Sequence, residues 1–236
     1  MKKITKSYMF WLPVGILLFI YVMCGRFYWN FVDFSFNTSD IAKSRAFLLD
    51  LCPFCAFVLP VVLIIDPTRK LASIISYFSI FGGMITLIGG ICFENFDSVN
   101  AKWDFKWIFV GDSDNRMYFM MHFLQVVFGG WVLLNSKRNI LKDFLSALIF
   151  ICCYFAYVLI VVHVLDVNSN ATGLVPADWQ DGGEYENVST IIKLPFPWIT
   201  IVSFLLVTVF IVLAMCFYYL LQKIKWYKVV ESENKI

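Results

Sequence analysis

Cys52 and Cys55 bracket a proline in the run Leu49-Asp50-Leu51-Cys52-Pro53-Phe54-Cys55, and His122 stands one helical turn before Gln125 in a later apolar segment. A thiolate is the nucleophilic form of cysteine, and a nearby imidazole can generate it. A thiol and an imidazole set in apolar segments are one reactive combination of residue types. The Cys-x-x-Cys spacing offers a second, reversible disulfide exchange. Arg26, Asp50, Gln125 and His163 are the remaining polar groups set in apolar surroundings, where an ionisable side chain costs several kcal/mol and is a functional candidate by default. They are taken as substrate-binding candidates, and Arg26, Asp50 and His122 together would also suit solute binding or a proton relay. His122, His163, Cys52 and Asp50 lack the spacing of a zinc site apart from the Cys52/Cys55 pair. Neither a metal nor a cofactor is expected.

The elements that position these groups are membrane helices. Of the 236 residues, 60% are hydrophobic and only 15% charged, against about 45–50% and 25% in soluble domains. Lipid must cover that excess. Six stretches approach the roughly 20 apolar residues that span a bilayer: 9–31, 46–65, 71–93, 117–135, 143–165 and 195–221. The expected fold is an all-α, polytopic membrane bundle in one domain. Breakers such as Asp66-Pro67-Thr68-Arg69-Lys70 separate the spans. The first span follows a Lys-rich start but has no small-x-small cleavage site, so it reads as an uncleaved helix. With both termini inside, twelve of the nineteen Lys and Arg fall in inner segments and six outside, which favours cytoplasmic termini in a bacterial plasma membrane. A net charge of +2 with no basic tract argues against nucleic acid. The expected partner is membrane lipid, with a lipid or small-molecule substrate.

That topology fixes depths. Arg26 is expected about five residues from the outer end of the first helix, and His122 about five into the fourth, each roughly 8 Å at 1.5 Å per residue. Asp50 and Cys52 are expected four to six residues into the second helix, on the order of 6–9 Å, with His163 near the outer end of the fifth. The polar groups then share one outward-biased level, and the inner half holds no counterpart. Pro53 and Pro60 should kink the second helix and free the carbonyls of Leu49 and Ala56. The segment 94–116, with Trp103, Phe105, Trp107, Ile108 and Phe109, is expected along the outer interface. Sequons at Asn37, Asn170 and Asn187 all fall outside. The structural alternatives are an Arg26–Asp50 pair, an interfacial His163 and a core His122.

In order and spacing, several short motifs resemble the YwaF-type family of integral membrane proteins, to which a eukaryotic acyltransferase, transmembrane protein 164, is related. They are Leu49-Asp50-Leu51-Cys52 followed by Phe57-Val58-Leu59-Pro60, Ile74-Ile75-Ser76-Tyr77-Phe78 followed by Gly82-Gly83, Tyr118-Phe119-Met120-Met121-His122-Phe123, and Pro195-Phe196-Pro197-Trp198. The resemblance covers helices two to six. It implies a lipid-directed acyltransferase or hydrolase with a cysteine nucleophile at Cys52 and a histidine at His122. The family pattern often carries His before Leu-Cys, where this chain has Asp50. The alternatives are a non-enzymatic transporter or solute-binding protein and a thiol-redox protein using Cys52 and Cys55.

Overall fold

Where water is absent the backbone must satisfy its own hydrogen bonds, so apolar runs of bilayer length become helices. The computed structural model describes residues 6–37, 39–92, 105–111, 116–136, 139–165, 167 and 198–233. Among them there is no strand. The elements are α1 (Lys6–Val22), a π-helical turn (Met23–Phe27), α2 (Tyr28–Phe36), α3 (Asp40–Ala46), α4 (Leu51–Ile65), α5 (Lys70–Cys92), α6 (Phe105–Phe109), α7 (Tyr118–Leu134), α8 (Ile140–Leu165) and α9 (Trp198–Glu233). Five spans are long and apolar enough to cross a membrane: Tyr8–Phe36, Ala42–Ile65, Lys70–Ile88, Leu141–Leu165 and Phe204–Ile224. The 17 residues of α7 sit at the short end of the crossing range of about 17–25. The chain is an all-α integral membrane bundle. Its outer surface is correspondingly apolar, with Leu17, Ile20, Leu145, Ile149, Ile160, Leu205 and Leu213 exposed.

α5 is the central helix, packed on α4, α7, α8 and α9. Its residues 72–80 are all buried, and two of its serines are accommodated by back-bonding: Ser76 Oγ donates to the Ala72 carbonyl at 2.6 Å and Ser73 Oγ to Arg69 at 2.6 Å. Small residues let α5 and α7 approach closely. A Cβ on Gly83 would lie 2.7 Å from the His122 carbonyl oxygen, and one on Gly129 only 3.2 Å from that of Ser76. The main core joins Tyr77 and Phe78 of α5 to Ile151, Tyr154 and Val158 of α8 and to Ile211 and Met215 of α9. A second cluster packs Trp11 of α1 with Leu59 and Leu63 of α4.

The ends of the bundle are polar. Asp66 closes the α4–α5 turn by accepting from Thr68 N at 2.9 Å, Thr68 Oγ1 at 2.6 Å and Leu71 N at 2.7 Å. At this same end Tyr8 Oη donates to the Ile64 carbonyl at 2.5 Å and Gln222 Nε2 to that of Ser136 at 2.5 Å. Tyr77 Oη reaches Asp143 at 3.4 Å. At the other end, where α4 and α7 begin, Lys43 of α3 donates to the last carbonyl of α8, Leu165, at 3.2 Å. That is favourable placement for a cation at a helix C-terminus.

Three boundaries differ from the sequence expectation. The first span runs on to Phe36 through the π turn, so Arg26 lies ten residues, or about 15 Å, from its end. The last helix continues to Glu233, beyond the apolar run, because a helix needs no lipid once it is formed. The second span is broken: α3 ends at Ala46 and α4 starts only at Leu51. The expected kink at Pro53 does not arise, because Pro53 falls in the first turn of α4, where no intrahelical hydrogen bond is due from its nitrogen. Of the aromatic segment, Phe105 is exposed while Trp107 is buried in α6. Trp103, the sequons at Asn170 and Asn187, and Pro195-Phe196-Pro197 lie outside the described residues. Asn37 is exposed, its Oδ1 accepting from Ser39 N at 2.9 Å.

Candidate functional site

The break between α3 and α4 places Cys52. Leu48 takes a left-handed conformation, φ 55°, and Leu49 N–H returns to the Ser44 carbonyl at 3.0 Å, the closure that ends helices at a left-handed residue. A non-glycine residue held there costs on the order of 1–2 kcal/mol. Irregular backbone at membrane depth survives only where protein satisfies it, and two tyrosines of α8 do so. Tyr154 Oη donates to the buried Leu49 carbonyl at 2.6 Å, and Tyr157 Oη donates to that of Phe47. Asp50 follows in extended conformation as the residue preceding α4, and its carbonyl accepts from Phe54 N at 3.1 Å. Cys52 is therefore the second residue of a helix, beside first-turn amides that helix geometry leaves without intrahelical acceptors.

The Cys52 sulfur faces α5. Its Sγ lies 3.2 Å from Thr86 Oγ1, and a Cβ on Gly82, one turn earlier, would meet that sulfur at 2.8 Å. Gly82 thus leaves the notch in which the thiol sits and Thr86 supplies its polar partner. Thr86 is contacted from α7 too: Tyr118 Oη donates to the Thr86 carbonyl at 3.3 Å.

Tyr118 connects this cluster to His122. The His122 ring is buried and its Nδ1 lies 2.6 Å from the Tyr118 carbonyl. A carbonyl only accepts, so Nδ1 carries the proton and Nε2 holds the basic lone pair. The Tyr118 ring meets the imidazole edge-on at 4.9 Å, which holds the orientation. Among the described residues Cys52 and His122 are not hydrogen-bonded to each other; Thr86 touches the thiol, and Tyr118 touches both Thr86 and the imidazole. Neither was singled out from the sequence, where a threonine and a tyrosine in apolar runs look like packing.

Arg26 enters from the π turn of the first span. Its Nη1 donates to the Arg116 carbonyl at 2.6 Å, and Asp50, Cys52, Tyr118 and Arg45 all lie within range of its charge. The turn is shaped for this approach: Gly25 has no Cβ, and one there would lie 2.0 Å from Met117 Sδ. His122 also lies within range of Arg26. The structure therefore gathers Arg26, Asp50, Cys52 and His122 at one end of α1, α4, α5 and α7. His163 is not among them; it lies exposed in the last turn of α8. Gln125 lies one turn deeper than His122, buried, with neither Oε1 nor Nε2 hydrogen-bonded among the described residues. It borders an apolar crevice also lined by Val22, Ala56, Leu59, Met121 and Leu124. Ala56 is one turn along α4 from Cys52, so the crevice begins directly below the thiol.

Both Cys52 and Cys55 are free thiols. Cys52 is half-buried and Cys55 fully buried. Among the described residues no group of three His, Cys, Asp or Glu side chains could hold a metal ion.

The whole chain, residues 1–236, matches a family of unknown function, DUF5378. Two relatives are the "Uncharacterized protein MG135" of Mycoplasma genitalium, 35% identical over 191 residues and 77% of this chain, and its homolog in Mycoplasma pneumoniae, 34% identical over 194 residues and 75% of this chain. The match spans 66% of the length of each relative, just under two thirds. No solved structure matches.

Proposed function

The chain belongs to the DUF5378 family, and we propose that this member is a membrane-embedded acyltransferase or hydrolase that takes an acyl group from a lipid ester onto Cys52. The observation that carries the reading is the seat of the Cys52 sulfur, at the start of α4, in the Gly82 notch and 3.2 Å from Thr86 Oγ1. The motif resemblance to the YwaF-type family supports it. In the first step the sulfur forms a bond to the ester carbonyl carbon. The carbon–oxygen bond to the glycerol then breaks, and the departing oxygen takes the proton the thiol gave up. A hydroxyl or water attacks the resulting thioester, returning the proton and releasing Cys52. The Leu51 and Cys52 amides at the start of α4 are suited to hold the oxyanion. His122 acts as the base through Nε2, its ring held by the Tyr118 carbonyl, with the proton passing by way of the Thr86 hydroxyl or a closure that brings Cys52 to it. We take the end bearing Tyr8 and Gln222 as the side of the cytoplasm, on the Lys and Arg count, so the site faces the outer leaflet of a bacterial plasma membrane.

Membranes holding the full chain are incubated with a phospholipid whose acyl chain ends in an alkyne, and the protein is probed for hydroxylamine-labile label. Label is expected on the native chain and on Cys55→Ala, and absent from Cys52→Ala. Undiminished label on Cys52→Ala would overturn the reading.

A second reading is favoured by one observation: Cys52-Pro53-Phe54-Cys55 opens α4 rather than lying within it, with Cys52 half-buried and Cys55 fully buried at the next turn. Such a pair could cycle between dithiol and disulfide against a lipid-soluble two-electron acceptor. Thiol trapping with and without oxidant separates the two, since Cys52 and Cys55 that stay reduced under oxidant leave only acyl transfer.

A further inference from the structure

Three of the chain's five arginines converge where the first span passes the start of α7. Arg26 is anchored on the Arg116 carbonyl at 2.6 Å, Arg45 lies within range of the Arg26 charge, and the Arg116 guanidinium lies over the Trp29 ring at 4.4 Å. The Asp50 carboxylate, also within range of Arg26, offsets one of these charges, and the guanidiniums left over repel and are poorly hydrated at membrane depth, a costly arrangement that a further anion would relieve. The hydrogen-bond inventory points the same way. Arg26 Nε and Arg116 Nε are both closed off from solvent, and neither has an acceptor among the described residues. Their orientation is built in, because the π turn places Arg26 and Gly25 admits Met117 beside it.

We propose that Arg26 and Arg116 form a binding site for a phosphate group, with Arg45 adding charge. A phosphate carries several acceptor oxygens in the geometry a guanidinium fork recognises. The site's position gives the ligand class. Arg26 stands one turn beyond Val22 and Cys52 one turn before Ala56, and Val22, Ala56 and Leu59 line the apolar crevice, so the charge and the thiol share its mouth. A glycerophospholipid presents its phosphate, its ester carbonyl and its acyl chain in that order. In naming a phospholipid as acyl donor the inference rests on the function proposed above; the phosphate site itself does not.

The test therefore uses the full chain carrying Cys52→Ala, purified in detergent, so that binding is read without chemistry. Trp29 reports through its contact with Arg116, and a Trp29→Phe control assigns the fluorescence change. Three probes are titrated: a short-chain phosphatidylglycerol, the matching diacylglycerol without phosphate, and inorganic phosphate. Saturable binding of phosphatidylglycerol is expected, weaker by about tenfold to a hundredfold for diacylglycerol and for Arg26→Gln, the range of a lost charge-assisted hydrogen bond. Arg116→Gln is the second variant should Arg26→Gln misfold, because the carbonyl that anchors Arg26 belongs to the backbone and survives the change. Arg26→Lys should recover only part of the affinity, since it keeps the charge and loses the fork. Binding of inorganic phosphate alone would uphold the phosphate site and make its source soluble. Equal binding of the two lipids, unaffected by either glutamine variant, would overturn the proposal.

Discussion

Gly82 and Gly83 are neighbours in α5 with the same intrinsic cost in a helix, yet their alanine variants should fail in different ways. The methyl of Gly82→Ala would lie 2.8 Å from Cys52 Sγ but 3.5 Å from Cys52 Cα and 3.6 Å from its Cβ. Only the sulfur is in conflict, and it can rotate about one bond. The cost is the contact with Thr86, about 0.5–1.5 kcal/mol for a neutral hydrogen bond, offset by about 1 kcal/mol of helix propensity. Stability should hardly change. Gly83→Ala meets the His122 carbonyl oxygen at 2.7 Å and Val126 Cγ2 at 2.8 Å. A backbone oxygen cannot turn aside, so α5 and α7 must part, at about 1–3 kcal/mol or more. Equilibrium unfolding in mild detergent, followed by helicity, gives the stabilities. Thioester loading at Cys52, in a background with the other cysteines replaced, gives the chemistry. Gly82→Ala is expected to fold normally and load about tenfold less, equivalent to about 1.4 kcal/mol. Gly83→Ala is expected to unfold first. In a Cys52→Ala background the added methyl fills the emptied notch, and Gly82→Ala should become stabilising by about 1 kcal/mol, a coupling the double-mutant cycle reads directly. The reasoning is refuted if Gly82→Ala unfolds as readily as Gly83→Ala and shows no coupling to Cys52.

Other perturbations test the framework. Gln125→Leu removes a buried carboxamide that has no partner among the described residues and should stabilise the protein by about 1–3 kcal/mol; a loss of stability in the same unfolding assay would mean that the amide is engaged. Tyr154→Phe removes the hydroxyl that donates to the Leu49 carbonyl and should cost about 0.5–1.5 kcal/mol, with faster hydrogen exchange at residues 47–50. Pro53→Ala should change stability by less than about 1 kcal/mol, because Pro53 occupies a first-turn position that suits proline; a large loss would contradict the helix boundary at Leu51.

Hydropathy located most of the architecture. The spans expected at 71–93, 117–135 and 143–165 fall within three residues of α5, α7 and α8, because each is a single apolar run between polar turns such as Asp66–Lys70. The second span lies where it was expected, within Ala42–Ile65, but the break in it was missed because Phe47, Leu48 and Leu49 are as apolar as the helix they interrupt. Nothing in their composition announces a left-handed Leu48, which depends on hydroxyls supplied by Tyr154 and Tyr157 from a distant helix. Cys52, His122, Arg26 and Asp50 were legible as rare polar groups in lipid, and the structure gathers those four. Thr86 and Tyr118 were not, since their importance lies in what they touch across helices. His163 showed the limit of that logic: a histidine near a helix end marks a depth, not a neighbour.

The π turn in the first span adds one residue to a continuous rod, and an added residue advances the rod's faces by about 100° relative to an unbroken α-helix. Side chains before Met23 and after Phe27 are thus phased independently, the lower part to pack on α4 and the upper part to carry Trp29 and Asn30 toward the neighbours of Arg26. Deleting a single residue between 23 and 27 would restore regular winding without shortening the span below bilayer length. Every contact beyond it would then be rotated out of place, so the surplus residue acts as the key that times one half of the rod against the other.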